Sequence, residues 1–350
     1  MRLRLGTRRS PLATTQSEHV AAALRARGHE VDLVPIVTEG DVSRAALRTL
    51  GGTGVFAAAL REALVRGEID LAVHSLKDLP TAPHPDLVIA AIPPREDPRD
   101  AVIGRDGATL GELGAGARVG TGSPRRVAQL AALRWGLELV DIRGNVDTRI
   151  ALVDDGDLDA VILAHAGLRR LGRTERISEL LDPIQMLPAP GQGALAVECR
   201  ADRTDVRTAL ADLDDPDTRA CVEAERAVLA TLQAGCSAPV GALGEIVEGL
   251  TDDGDIVVEL SLRAVVAATD GSAELRRSAV GDPADPVGLG RQLADLLLHD
   301  GAANLMTADS MTADPVTHPN PTDPHTVDPQ GRPPQTSDTS TSDPTLESAP

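Results

Sequence analysis

The sequence predicts an α/β protein of two similar lobes followed by a small α+β unit. Three observations carry this. Residues 1 to about 306 alternate short apolar runs with amphipathic stretches, the pattern of strands joined by helices. Two local patterns recur in the same order, about 113 and 89 residues further on. Beyond residue 306 the composition changes to Asp, Thr, Pro and Ser, which cannot offset the entropy of ordering, so 307–350 is expected to be a disordered acidic tail.

The first recurring pattern is Leu3-Arg4-Leu5-Gly6-Thr7-Arg8-Arg9-Ser10-Pro11, echoed by Ala117-Arg118-Val119-Gly120-Thr121-Gly122-Ser123-Pro124. Each reads as strand, Gly-Thr turn and helix. Ser10 and Ser123 stand as N-caps, with Pro11 and Pro124 at the first helical position, where no N–H is needed. The helices should run to about Arg27 and Arg134. The second pattern, Gly67 to Ser75 and again Gly156 to Ala164, is a helix ending in glycine followed by a buried strand. Turn-rich segments at Ile92–Pro98 and Leu187–Gly193 flank the second repeat and read as two crossings between the lobes. The domains are therefore expected at 1–94 with 194–211, at 95–193 and at 216–306. Within the last, a helix over Thr218–Ala230 leads to the loop Ala234-Gly235-Cys236, then strands near Ile256–Ala267 and a helix near Val287–His299.

A formal net charge of −19 disfavours nucleic acid and anionic membranes as partners, so arginine clusters in this chain point to local anion sites. Lysine and arginine total 34, yet the only lysine is Lys77, and with so much acid the composition resembles adaptation to high salt. The start MRLRLGTRRSP carries no long apolar segment and no run of about eighteen apolar residues follows. A cytoplasmic location is expected. Cys199, Cys221 and Cys236 form no CxxC pair, as suits a reducing compartment, and no metal cluster is evident.

Two helix N-termini beside paired arginines, Arg8 with Arg9 and Arg125 with Arg126, make two candidate anion cradles. Arg143, after a strand over Glu138–Ile142, with Arg149, Arg169 and Arg170 beyond it, adds guanidinium to the same crevice. Surface arginine explains any one of these; together they suit a ligand with several carboxylates. Lys77-Asp78 follows a buried strand. Asp78 can balance a cation formed in reaction, shuttle a proton, or cap the next turn. His74 reads as a hydrogen-bonded structural residue. Cys236, between glycine and proline, is the best candidate for covalent chemistry, against an incidental thiol. Gly51 to Phe56 reads as a lid or simply a loop.

Thr7-Arg8-Arg9-Ser10-Pro11, Val73-His74-Ser75-Leu76-Lys77-Asp78, Arg95 to Ala101, Arg143 to Arg149, Leu187 to Gly193 and Gly235-Cys236 together resemble, in order and spacing, the porphobilinogen deaminase (hydroxymethylbilane synthase) family. The resemblance covers the chain to about residue 306. It implies two periplasmic-binding-protein-like lobes with mixed sheets, and a third domain that tethers a dipyrromethane cofactor through a thioether to Cys236. It implies stepwise condensation of four porphobilinogen molecules with loss of ammonia, then release of hydroxymethylbilane. By motif, Asp78 is catalytic; Cys236, Lys77, Ser123, Arg125, Arg126 and Arg149 hold the cofactor; and Arg8, Ser10, Arg143, Arg149 and Arg170 hold the substrate. A monomer is expected. Thr53, and Thr49 nearby, depart from the family, which commonly carries lysine there, and the tail has no family counterpart. The competing expectation is a non-catalytic two-lobe binding protein for a small polycarboxylate, with Cys236 incidental.

Overall fold

A computed structural model describes residues 1–36, 55–235, 238–250 and 254–307. In the first lobe, β1 (Arg2–Thr7), α1 (Pro11–Arg25), β2 (Glu30–Pro35), α2 (Val55–Val65), β3 (Leu71–Ser75) and β4 (Leu87–Ala91) follow in order. Its sheet has the order β2-β1-β3-β10-β4, where β10 is Leu195–Arg200. β1 is parallel to β2 and β3, whereas β10 is antiparallel to both β3 and β4.

The second lobe contains β5 (Asp100–Gly104), β6 (Arg118–Gly120), α3 (Pro124–Ala132), β7 (Glu138–Val140), α4 (Val146–Asp154), β8 (Ala160–Ala164), α5 (His165–Arg170) and β9 (Glu179–Leu180). Its sheet order, β7-β6-β8-β5-β9, repeats that of the first lobe, with β6 in the place of β1 and β5 in the place of β10. In each sheet the inserted antiparallel strand is the one that enters directly from a crossing. This shared topology, with a mixed sheet in each lobe, is the two-lobe architecture expected. The recurring motifs occupy equivalent places: Ser10 and Ser123 precede α1 and α3, and positive-φ Gly67 and Gly156 follow α2 and α4.

After α6 (Thr204–Ala211), the third unit packs α7 (Pro216–Thr231) and α8 (Pro286–His299) against the antiparallel sheet β11 (Val240–Leu250), β12 (Ile256–Ala267) and β13 (Glu274–Gly281). Its core joins Val228, Leu260, Leu262, Leu293 and Leu297. A last helix, α9 (Ala302–Thr307), takes in Thr307, which the sequence assigned to the tail. Other boundaries also move. α1 stops at Arg25 and turns at positive-φ Gly28; α3 stops at Ala132 because Arg134 is left-handed (φ 57°); β7 ends at Val140 rather than Ile142.

The crossings at 92–99 and 187–194 meet each other. Glu96 N donates to Gly193 O (3.3 Å), Arg95 Nε to Gln192 O (2.7 Å) and Gln192 Nε2 to Pro98 O (2.7 Å). Gly191 (φ 76°) and Gly193 (φ 88°) make this approach possible: a Cβ on the first would stand 3.1 Å from Leu76 Cγ, and one on the second would overlap the Glu96 carbonyl. Fully buried Glu225 of α7 joins the third unit to this junction. Its carboxylate accepts two bonds from Arg95 (2.6 and 3.0 Å), one from Gly191 N (2.6 Å) and one from Gly244 N (2.8 Å).

Candidate functional site

The short 3₁₀ turn Leu76–Asp78 follows β3, with Leu76 and Leu79 buried as anchors. Between them Lys77 is half-buried and Asp78 exposed, so the carboxylate is accessible while its turn is fixed. Lys77 Nζ donates to Gln192 Oε1 (3.3 Å), and Gln192 Nε2 in turn donates to Asp100 Oδ1 (2.8 Å). The crossing therefore links the Lys77 turn of one lobe to the first strand of the other.

Asp100 is wholly buried at the start of β5, between two arginines of α3. Its Oδ2 lies 2.7 Å from Arg125 Nη2; its Oδ1 lies 2.8 Å from Arg126 Nη2 and 3.1 Å from Arg126 Nε. Arg125 also donates to Leu187 O (2.7 Å) and Arg126 to Ile162 O (2.9 Å). Burial pushes the Asp100 carboxyl up, but the two guanidinium groups and the Gln192 bond outweigh it and hold Asp100 well below the usual carboxylate range. Burial likewise pulls Arg125 down.

Two cations in the first turn of a helix oppose its dipole, so this end of α3 has an excess of positive charge for one aspartate to balance. Moreover, Arg125 Nε is buried with no hydrogen-bond partner. Ser123 does occupy the N-cap position, yet its side chain makes no cap bond, unlike Ser10, whose Oγ accepts from Ala13 N at 3.3 Å. The unpartnered Arg125 Nε, beside a serine hydroxyl not engaged as a cap, suits an incoming carboxylate.

The other candidates are more dispersed. Arg170 of α5, its charge disfavoured by burial, donates to Gly193 O (2.6 Å) and so belongs to the junction. Arg169 is exposed and pairs with Glu96 (3.1 Å). Arg149 donates to Gly144 O (2.9 Å), and its guanidinium is pulled down by burial, then by Arg126 and Arg143. Arg143 is exposed and pairs with Asp141 (3.1 Å). Arg8 is half-buried at the end of β1, ahead of α1, and a Cβ on Gly167 of α5 would lie 3.8 Å from Leu12, where the two lobes come close.

Cys236, Thr49, Thr53, the glycines of the 51–56 segment read as a lid or a loop, and the tail from residue 308 lie outside the described residues, as does the Phe56 side chain. Cys199 and Cys221 are buried and their thiols raised to about 11 and about 12 by desolvation, which makes them inert. His74 is buried with its Nε2 3.3 Å from buried Glu198, which also binds Arg61 at 2.9 Å. Sequence reasoning missed Asp100 and Gln192 as partners. Both stood inside quoted motifs, but nothing local marks an aspartate at a strand start or a glutamine in a turn as the counterpart of distant cations. Among the described residues no helix is long and apolar enough to cross a membrane.

Burial lowers Lys77 from its usual 10.5 to about 8, with Asp78 opposing and Arg126 adding to the shift. Between about pH 8 and 10.5 the unfolded chain keeps the proton that the folded one has lost. Stability from this group therefore rises with pH across that window. Thermal melts of the ligand-free protein should show this slope relative to Lys77→Met; identical slopes in the two proteins would refute the burial argument.

Two family models match the chain: "Porphobilinogen deaminase, dipyromethane cofactor binding domain" over residues 3–208 and "Porphobilinogen deaminase, C-terminal domain" over 219–299. A protein of Nocardia farcinica named porphobilinogen deaminase is 61% identical over 304 residues, covering 87% of this chain and 88% of its own. One of the same name from Mycobacterium tuberculosis is 58% identical over 304 residues, covering 87% and 98%. Among solved structures, the lipoprotein Tp32 of Treponema pallidum aligns with a TM-score of 0.40 at 14% identity, over 60% of this chain and 88% of its own, too slight a likeness to bear on function.

Proposed function

The chain belongs to the porphobilinogen deaminase family, and from that premise we propose that it joins four porphobilinogen molecules head to tail with loss of ammonia and releases hydroxymethylbilane by hydrolysis. The observation that carries this reading is the cluster in which half-buried Lys77 is linked through Gln192 to buried Asp100, Arg125 and Arg126, beside the accessible Asp78 carboxylate. The family's cofactor is dipyrromethane. When bound, it supplies the nucleophilic pyrrole carbon to which the first unit is joined. The donor set fits its acetate and propionate groups: Arg125 Nε is buried and unpartnered, the Ser123 hydroxyl is not used as a cap, and α3 begins with two cations.

In this reading Lys77, Ser123, Arg125, Arg126 and Arg149 hold the cofactor and Cys236 attaches it. Arg8, Ser10, Arg143, Arg149 and Arg170 orient the substrate's carboxylates. Asp78 offsets the positive charge left on a substrate pyrrole when ammonia departs, and holds the pyrrole N–H groups in register for attack. The sheet-centred units at 1–94 with 194–211, 95–193 and 216–306 are its three domains. The enzyme works as a cytoplasmic monomer and engages neither nucleic acid nor membrane, which its net charge of −19 favours.

Intact-protein mass spectrometry tests the reading. The purified protein should weigh more than its sequence by one dipyrromethane, and Cys236→Ser should lose that excess together with all turnover. A native mass equal to that of the bare chain, after exposure to porphobilinogen, would leave only the polycarboxylate-binder reading.

A further inference from the structure

We propose that Arg226 of α7 is a positioning residue for the reaction: it holds Asp78 in place by gripping the turn on which Asp78 stands. The inference rests on the assignment of Asp78 as the reaction's carboxylate. Arg226 donates to Pro80 O (2.7 Å) and Leu79 O (3.1 Å) and reaches Leu76 O at 3.5 Å. These carbonyls bracket Lys77 and Asp78 on both sides. Such support matters because the turn closes on one backbone bond, Leu79 N to Leu76 O (3.1 Å), and so short a 3₁₀ segment leaves its remaining carbonyls to outside donors.

Packing fixes the helix that carries this guanidinium. Val222 of α7, fully buried, shares one apolar cluster with Leu76 and Leu79, so the helix cannot shift without opening that contact. The preceding residue, Glu225, ties the same helix to Arg95 and Gly191 at the crossings. α7 ends at Thr231, and around its end Leu229 and Gly235, the residue before Cys236, line a cavity of about 270 Å³ with Pro80 and Ala82. The same helix thus grips the turn of Asp78 and leads, four residues past its end, to Gly235. A lysine at 226 would present a single ammonium where two carbonyls are now held by a planar fork.

Arg226→Ala should load its cofactor normally by mass, keep KM within about twofold and lose kcat by about 10²-fold, the scale expected when a reacting group is displaced by roughly 1 Å. Arg219→Ala is the control. Arg219 lies seven residues earlier on α7 and bonds Asp214 (2.7 Å) and Ile89 O (3.4 Å), away from the turn. It should lower the melting temperature without lowering kcat. The proposal is overturned if Arg226→Ala turns over like wild type, or if Arg219→Ala loses as much turnover. Should Arg226→Ala not fold, Arg226→Lys decides: a drop of about tenfold in kcat supports the proposal and an unchanged kcat overturns it. Asp78→Asn measured alongside separates the two levels. If it is inactive while Arg226→Ala is normal, only the positioning role falls; if it is fully active, the assignment of Asp78 fails and takes the positioning role with it.

Discussion

Asp78→Asn is expected to yield a folded protein whose turnover falls by about 10² to 10³, the range seen when one preorganised electrostatic partner is removed from an active site. The fold should survive because Asp78 is exposed and its turn is held by Leu76, Leu79 and Arg226 rather than by its own carboxylate. The amide keeps the size and hydrogen-bonding reach of the acid but not its charge, so the experiment isolates charge. Rapid-quench measurement of ammonia release, with a thermal melt as control, gives the answer. Wild-type rates would remove Asp78 from the chemistry and move attention to Lys77.

Asp100→Asn is expected to destabilise the ligand-free protein by about 3–5 kcal/mol, because it leaves two buried guanidinium groups without their counter-charge. That corresponds to a fall in melting temperature of roughly 10 °C for a protein of this size. The contrast is Asp202→Asn. Asp202 pairs with Arg200 at the surface, where water already screens the charges, and its loss should barely move the midpoint. If Asp100→Asn melts within a degree or two of wild type, the cluster is solvated and the argument for a charged, dehydrated cradle collapses.

The lobes were legible because periodicity and turn chemistry are local. Ser10-Pro11 and Ser123-Pro124 announce helix starts, and Gly67 and Gly156 announce helix ends, whatever surrounds them. The candidate cations were legible as residue types at the ends of strands. Their partners were not. That Asp100 absorbs Arg125 and Arg126, that Gln192 bridges it to Lys77, and that Glu225 gathers both crossings depends on contacts between residues 25 to 130 positions apart. No spacing rule reaches so far. Arg226 was invisible for the same reason: on a helix it is one arginine among many, and only the carbonyls of Leu76, Leu79 and Pro80 distinguish it.

The place of β10 in the first sheet also bears on how the molecule is made. Among the described residues β4 has β10 as its only neighbour in the sheet, and β10 lies about a hundred residues later in the chain. On a ribosome, β4 must wait unpaired while the whole of β5 to β9 is synthesised, whereas the sheet those strands form is complete as soon as its contiguous segment emerges. The second lobe can therefore mature first and the first lobe last, closing only when residues 195–200 slide in between two strands already present.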